Sequence, residues 1–220
     1  MKLFDSKVRV REQDVDGVSN WMWPETDDGA WDGPSVEWVK SHKEGYLRYC
    51  RKFDVVVQAG GNCGLYPMLF SKYFSRVYTF EPDPLNFHCL VNNCQVSNIY
   101  KFNAALGDIN KLVHVYNANA SNVGTHTISD FDEDDYATKH SFVPTFLIDQ
   151  LALDHCDLIQ LDCEGYEPNV IAGAMDTIER FRPVISLETC NDEIKLLLSQ
   201  FGYVQKLQVG SDTIFAVEER

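Results

Sequence analysis

The chain has 220 residues, of which 45% are apolar and 24% are charged, and its formal net charge is −14. These proportions are typical of a soluble globular domain and exclude a disordered chain. The negative charge disfavours nucleic acid and anionic membranes as partners, because a field of that sign repels phosphate. No stretch reaches the roughly 20 apolar residues of a spanning helix. Since the first ten residues also lack the apolar core of a signal peptide, we expect a cytoplasmic protein.

The seven cysteines form no Cys-x-x-Cys pair, so the spacing of a zinc site is absent. Most of them lie within apolar runs of the sequence. We therefore expect reduced and largely buried thiols in a reducing compartment.

The first 45 residues differ in composition from the rest of the chain. Three of the four tryptophans (Trp21, Trp23 and Trp31) lie there, and helical periodicity begins only near Ser35. We predict a Trp-rich cap or lid over residues 1–45 and a second domain over residues 46–220. The indole rings either stack on a bound ligand or anchor the cap on the sheet.

From Phe53 onward, short apolar runs alternate with helical segments. The predicted strands are residues 54–58, 77–80, 99–102, 157–161 and 183–187, with a further possible strand at 112–116. The predicted helices are residues 65–74, 84–92, one helix through 170–178, and 193–201. Fully apolar strands separated by helices predict a parallel sheet that is covered on both faces.

Two further segments complete the predicted organisation. Residues 203–209 and 213–217 flank Gly210-Ser211-Asp212, whose turn chemistry predicts a C-terminal antiparallel hairpin. The segment 117–140 is polar, and we predict a solvated loop for its acidic run, Asp130, Asp132, Glu133, Asp134 and Asp135.

The first predicted strand ends in a glycine-rich loop at the edge where open α/β sheets bind ligands. The spacing Ala59-x-Gly61-x-x-Gly64 is a weakened dinucleotide fingerprint, whereas Gln58-x-Gly60-x-Asn62-x-Gly64 is the loop pattern of S-adenosylmethionine-dependent methyltransferases. A purely structural tight turn is the third alternative. We expect the loop to lie at the surface, so that a bulky residue at position 60 abolishes cofactor binding without unfolding the chain.

Glu81 and the predicted C-terminal hairpin help to choose between the two loop patterns. Glu81, at the end of the second predicted strand, suits the hydroxyl groups of a ribose in either case. It could instead be an ordinary charge at a helix start. The terminal hairpin favours the methyltransferase pattern, whose sheet ends in an antiparallel strand.

Five segments together resemble one known family, the FkbM methyltransferases, which methylate hydroxyl groups of sugars and natural products. These are VVVQAGGNCG (55–64), FEPDPLNF (80–87), NAALGD (103–108), TFLIDQL (145–151) and DLIQLDCEGYEPNVIAGA (157–174). The resemblance covers about residues 54–189 and implies a Rossmann-like class I methyltransferase fold of α/β type, with S-adenosyl-L-methionine as cofactor. Gln58 departs from the family, which usually has an acid there, although a glutamine still offers a carbonyl acceptor.

The resemblance also implies which residues form the site. The expected cofactor-binding residues are Gln58, Ala59, Gly60, Gly61, Asn62, Gly64, Glu81, Pro82, Asn103, Ala104 and Asp162. Asp162 is the first candidate for a general base, and Glu164 either orients the substrate or holds Asp162 in place.

Other interpretations of these acids stay open. The turn that contains them could simply cap the following helix. A divalent metal held by Asp162, Glu164 and Glu188 could assist the reaction, although the sequence does not assign a metal ligand. His126 is either a base or substrate contact, or a surface histidine.

We therefore expect an O-methyltransferase that acts on a hydroxyl of a small molecule or saccharide, with neither nucleic acid nor membrane as partner. Two alternatives belong to other functional classes. Gln58 is compatible with a non-catalytic S-adenosylmethionine-binding module, and the dinucleotide spacing is compatible with a nicotinamide-dependent oxidoreductase. Neither the acceptor nor the oligomeric state can be deduced from the sequence.

Overall fold

The computed structural model describes residues 8–11, 20–27, 39, 44–117, 126–130 and 141–218. The chain begins with β1 (Val8–Arg11) and β2 (Trp21–Pro24), which pair antiparallel. Residues 44–47 are helical. The first half of the main domain then runs through β3 (Val55–Ala59), α1 (Leu65–Ser71), β4 (Arg76–Phe80), α2 (Pro84–Asn93) and β5 (Ile99–Phe102).

The middle of the chain forms short strands, and in the second half strands again alternate with helices. The middle contains β6 (Ala105–Leu106), β7 (Leu112–Asn117), β8 (His126–Asp130), β9 (Ser141–Phe146) and a 3-10 helix, Ile148–Leu151. The second half contains β10 (Leu158–Leu161), α3 (Glu167–Ala172), α4 (Met175–Phe181), β11 (Val184–Leu187), α5 (Asp192–Gln200), β12 (Tyr203–Val209) and β13 (Asp212–Val217).

Seven strands form the central sheet, in the order β12-β13-β11-β10-β3-β4-β5. The strands from β11 to β5 are parallel, and β13 is antiparallel to both of its neighbours. The parallel sheet and the antiparallel terminal hairpin are thus confirmed. Because β13 runs in the opposite direction, its first residue lies at the edge where the parallel strands end.

Both faces of the sheet are buried, which explains the continuous apolar runs in the strands. On one face, Val57 and Ile159 pack with the helical residues Ile171, Ile178 and Leu198. On the other face, an equivalent set of strand residues packs with α1, α2 and the N-terminal segment. The sheet therefore forms the centre of a three-layer α/β fold.

The single helix predicted through 170–178 is in fact two helices, α3 and α4, separated at Gly173. A Cβ at Gly173 would lie 1.9 Å from the carbonyl oxygen of Gly107. The bare glycine is therefore required by a contact with a segment far away in the sequence, which helical periodicity does not reveal.

The middle of the chain forms a second sheet of four strands, in the order β6-β9-β7-β8. The possible strand at 112–116 is confirmed as β7. β8, which pairs antiparallel with β7, was not predicted. Its last residue is Asp130, so the prediction of a loop for the acidic run is wrong for that residue. Residues 131–140, which contain most of the acidic run, lie outside the described residues.

The N-terminal segment is anchored on the domain by two tryptophans. Trp21 and Trp23 are buried in the same cluster as core residues of the sheet. The Met22 amide donates to Asn93 Oδ1 at 2.7 Å, and Asn93 Nδ2 donates to the Met22 carbonyl at 2.9 Å. These contacts support the anchoring role of the two rings. Trp31 lies outside the described residues, and the division at residue 45 stays a prediction.

The cysteines agree with the expectation of free thiols. All seven are unpaired and four of them are buried. Within the described part of the chain, no helix combines the length and the apolarity that crossing a bilayer requires.

Candidate active site

The candidate site lies at the edge of the central sheet where the parallel strands end, which is the ligand-binding edge of open α/β folds. The glycine-rich loop (residues 60–64) follows β3, and Glu81 follows β4. Asp162 follows β10, and Glu188 follows β11. Residues that are far apart in the sequence therefore meet at one edge.

The glycine-rich loop is packed against the ends of the two strands that flank β3. The amides of Gly60 and Gly61 both donate to the Phe80 carbonyl at 3.0 Å. Gly60 has φ +82°, and a Cβ there would lie 1.9 Å from the backbone oxygen of Asp162. Only glycine fits this position. The loop is therefore packed more closely than a surface loop. That a bulky residue at position 60 abolishes cofactor binding without unfolding the chain stays a prediction.

Gln58 is fully buried, and its side chain makes hydrogen bonds within the protein. Its Nε2 donates to the carbonyl of Ala59 at 3.0 Å and to the carbonyl of Gly60 at 2.8 Å. Its Oε1 accepts a hydrogen bond from the Thr79 hydroxyl. Gln58 therefore holds the shape of the loop, and its amide nitrogen donates hydrogen bonds to these carbonyls that a carboxylate could not make.

Glu81 connects the glycine-rich loop to the start of α2. Its Oε2 accepts from the Asn62 amide at 2.6 Å, and its Oε1 accepts from the Asp83 amide at 2.8 Å. Burial raises the pKa of Glu81 to about 8, and the charge of Asp83 adds to this effect. The Glu81 side chain is also hydrogen-bonded to Asn86. A carboxylate offers about four acceptor positions, so a hydroxyl donor of a ligand can still bind.

Asn103 and Ala104 follow β5 and lie next to the segment that contains Glu81. Asn103 Nδ2 donates to the carbonyls of Glu81 at 2.9 Å and Pro82 at 3.0 Å. Ala104 is buried, with 2% of its surface exposed. The structure thus brings Asn103 and Pro82 beside Glu81, whereas Ala104 contributes to the core.

Three carboxylates form a cluster on the other side of the glycine-rich loop. Asp162, Glu164 and Glu188 each offer an oxygen atom, and these atoms lie within 4.8 Å of one another. The Asp162 amide donates to the Ala59 carbonyl at 3.2 Å, and the Glu188 amide donates to the Leu161 carbonyl at 3.0 Å. Backbone bonds between neighbouring strands therefore fix the positions from which these acids project.

The proximity of the acids changes their electrostatics. Burial raises the pKa of Asp162 well above its ordinary value, and the neighbouring Glu188 raises it further. Glu164 as a residue is exposed, but partial desolvation of its carboxyl group beside the other acids, followed by the charge of Glu188, raises its pKa to about 7. At neutral pH these carboxyl groups can therefore both accept and hold protons.

A fourth acid, Asp212, was missed as a site residue because its segment was interpreted only as a turn. It is 4% exposed, and its charge contributes to the raised pKa of Asp162 after burial and the charge of Glu188. The Tyr46 hydroxyl donates to Asp212 and lies 3.0 Å from the Tyr66 hydroxyl. An aspartate that opens a predicted antiparallel strand beside parallel ones would have been the signal in the sequence.

The remaining sequence candidates are not part of this arrangement. His126 begins β8, and its side chain lies outside the described part of the structure. Trp21 and Trp23 are 0% and 2% exposed, so neither ring is available to stack on a ligand.

Comparison with known proteins agrees with this geometry. The methyltransferase FkbM domain profile matches residues 58–205. The structure of methyltransferase FkbM from Methylobacillus flagellatus KT shares 16% sequence identity with a TM-score of 0.50, and the match covers 87% of this chain but 56% of that one. The 16S rRNA methyltransferase of T. thermophilus, in complex with AdoMet and guanosine, shares 13% identity with a TM-score of 0.50; the match covers 97% of this chain and 51% of that one.

These structural similarities are too distant to indicate more than the fold, and the chain spans only about half the length of both structures. No curated protein matches the sequence. The domain profile, however, covers about two thirds of the chain, including the glycine-rich loop and the acidic cluster. The chain therefore belongs to the FkbM methyltransferase domain family.

Proposed function

We propose that this protein transfers a methyl group from S-adenosylmethionine to a hydroxyl of a small molecule or saccharide. The observation that carries the proposal is the contact between Gly60 and the backbone of Asp162, where a Cβ would have only 1.9 Å. The loop expected to hold the cofactor and the acid expected to accept a proton are thus adjacent. Family membership favours methyl transfer over nicotinamide chemistry.

The residues at the sheet edge suit this cofactor. Glu81 lies between the glycine-rich loop and α2, where its carboxylate can accept hydrogen bonds from the ribose hydroxyls. The carboxylates of Asp162, Glu164 and Glu188 make the neighbouring space strongly negative, which favours a positively charged group. S-adenosylmethionine, when bound, supplies an electrophilic methyl group on a cationic sulfur.

The chain's own contribution is to position the acceptor and to remove its proton. A neutral hydroxyl is a poor nucleophile, and a positioned base adds a factor of roughly 10²–10⁴ to the rate. We assign this role to Asp162, with Glu164 beside it, because burial and Glu188 raise the pKa of both acids. As the oxygen–methyl bond forms, the hydroxyl proton moves to a carboxylate oxygen, and the carbon–sulfur electron pair stays on sulfur.

The charge of the protein bears on the class of acceptor. A net charge of −14 repels polyanions such as RNA, which favours a neutral acceptor. Stacking of an acceptor on Trp21 or Trp23 is not part of the proposal, since both rings are buried. The hydroxyl assignment therefore rests on the acidic cluster.

The test combines binding and transfer. We expect S-adenosylhomocysteine to bind in isothermal titration calorimetry, and labelled methyl to appear in one member of a panel of polyols, saccharides and hydroxylated metabolites. Asp162→Asn should lower kcat by roughly 10²-fold or more while changing cofactor affinity little. Glu179→Gln, which changes an exposed glutamate on α4, is the matched control and should leave both quantities unchanged.

Three results would contradict parts of this proposal. Absence of binding heat at millimolar ligand would remove the cofactor assignment. Binding without transfer to any acceptor would support a non-catalytic module. Equal losses of affinity and kcat in Asp162→Asn would assign Asp162 to binding alone.

A further inference from the structure

The three clustered carboxylates have the composition and spacing of a cation site. Their oxygen atoms approach within 4.8 Å of one another, although like charges repel at this distance. They come from two neighbouring strand ends, since Asp162 and Glu164 follow β10 and Glu188 follows β11. Carboxylate oxygens are the ligands that Mg²⁺ and Ca²⁺ prefer.

Unpartnered buried oxygens beside the cluster provide a second, independent observation. Glu167 is 0% exposed; its Oε1 accepts from the Cys163 amide at 3.0 Å, but its Oε2 has no partner among the described residues. Glu188 Oε2 is likewise buried and has no partner within the described part of the chain. Leaving a buried carboxylate oxygen unsatisfied is costly, so these atoms indicate a missing donor or cation.

Glu167 lies close enough to the cluster to share that partner. Its Oε1 is bound to the amide of Cys163, the residue between Asp162 and Glu164. A cation bound by the three clustered acids would therefore lie near Glu167, whose second oxygen could accept a hydrogen bond from a water on that cation.

We propose that Asp162, Glu164 and Glu188 bind one divalent cation of the Mg²⁺ type. A Cβ built at the neighbouring Gly165 would meet nothing within 4 Å, and both Glu164 and Gly165 are exposed. Mg²⁺ usually keeps several waters when carboxylates bind it, and an exposed turn gives those waters access. Glu164, which is exposed, completes the site from the solvent side.

The consequence for catalysis rests on the proposed function. If the acceptor hydroxyl replaces one of the waters, the cation lowers the pKa of that hydroxyl and holds its oxygen in place. The proton then leaves to the carboxylate oxygen of Asp162 that does not bind the cation, so Asp162 keeps the role that the proposed function gives it. Asp212 is buried near Asp162, and its negative charge favours cation binding.

Binding is measured on the full chain with Mn²⁺, without cofactor or acceptor. The electron paramagnetic resonance signal of free Mn²⁺ disappears on binding and counts sites directly. We expect one saturable site at roughly millimolar or lower Mn²⁺, with competition by Mg²⁺. Glu188→Gln and Glu164→Gln should each weaken binding about 10- to 100-fold. Glu179→Gln should leave it unchanged, because Glu179 is exposed on α4.

The use of two variants, Glu188→Gln and Glu164→Gln, keeps the test valid if one of them misfolds. Glu164 is exposed, so its replacement is expected to fold even if replacement of Glu188 does not. Absence of saturable Mn²⁺ binding to the wild-type chain, or equal affinity in wild type and Glu164→Gln, would overturn the metal site. Because this readout needs no cofactor or acceptor, Mn²⁺ binding without methyl transfer would refute the proposed function and retain the site. Methyl transfer that persists in EDTA, with no Mn²⁺ binding, would refute the metal site and retain the proposed function.

Discussion

Replacing Gly60 with alanine tests how tightly the glycine-rich loop is packed on the acidic cluster. Two physical costs combine at this position. Its φ of +82° is unfavourable for an L-residue by about 1–2 kcal/mol. The new Cβ would also lie 1.9 Å from the Asp162 carbonyl oxygen, and making room for it costs a further 1–3 kcal/mol or so.

Gly202→Ala provides the matched control. Gly202 has φ +78°, and the nearest atom to a Cβ there is the Arg182 Nη1, 4.0 Å away at the end of a flexible side chain. This variant should therefore carry the backbone cost alone, about 1–2 kcal/mol. The difference between the two variants in the free energy of unfolding measures the cost of the contact between the new Cβ and Asp162.

Urea denaturation, monitored by circular dichroism, gives the free energy of unfolding for both variants. We expect Gly60→Ala to lose about 2–5 kcal/mol in total, which is a large part of the roughly 5–15 kcal/mol typical of a domain. Its loss should exceed that of Gly202→Ala by at least about 1 kcal/mol. Equal losses would refute the close packing of the loop on Asp162, and with it the observation that carries the proposed function.

Three further predictions concern buried polar groups. Burial raises the pKa of Glu81 from 4.5 to about 8, so the folded state holds a proton that the unfolded state releases. The free energy of unfolding should therefore fall as the pH rises from about 5 to 9. A rise over that range in urea denaturation would contradict this reasoning. Glu81→Gln should flatten this pH profile and, by replacing one carboxyl oxygen with an amide group that cannot accept a hydrogen bond, weaken S-adenosylhomocysteine binding in calorimetry by about tenfold or more. Tyr46→Phe removes the hydroxyl that donates to Asp212, and urea denaturation should show a loss of about 1.5–3 kcal/mol; unchanged stability would assign no energetic role to this bond.

Local patterns in the sequence were sufficient to predict the central sheet. Each parallel strand is a short apolar run because both faces of the sheet are buried, and such runs are visible without any tertiary information. The Asp83-Pro84 pair predicted the start of α2, and the Asp83 side chain accepts from the amides of Leu85 and Asn86. The residues at strand ends, Glu81 and Asp162, followed from the same predictions, because parallel strands end at one edge.

Features that depend on contacts between distant segments could not be predicted in this way. The break at Gly173 is required by the carbonyl of Gly107, and nothing in the periodicity of residues 170–178 reveals that contact. The second sheet pairs β7 with β8 and β9, whose polar edges resemble a loop in the sequence. Apolar runs thus predicted every strand of the central sheet that is buried on both faces, whereas β8 and β9, which lack such runs, were not predicted.

The role of Gln58 shows why a motif can be recognised while its chemistry is misassigned. The sequence suggested that Gln58, in place of the usual acid, still offers a carbonyl acceptor to the cofactor. In the structure the Gln58 amide donates to the carbonyls of Ala59 and Gly60, a bond that a carboxylate cannot make. The substitution therefore stabilises the loop from within and adds no negative charge to an edge that already holds Asp162, Glu164 and Glu188. A neutral residue at this position is consistent with a site whose acids are concentrated at the ends of β10 and β11.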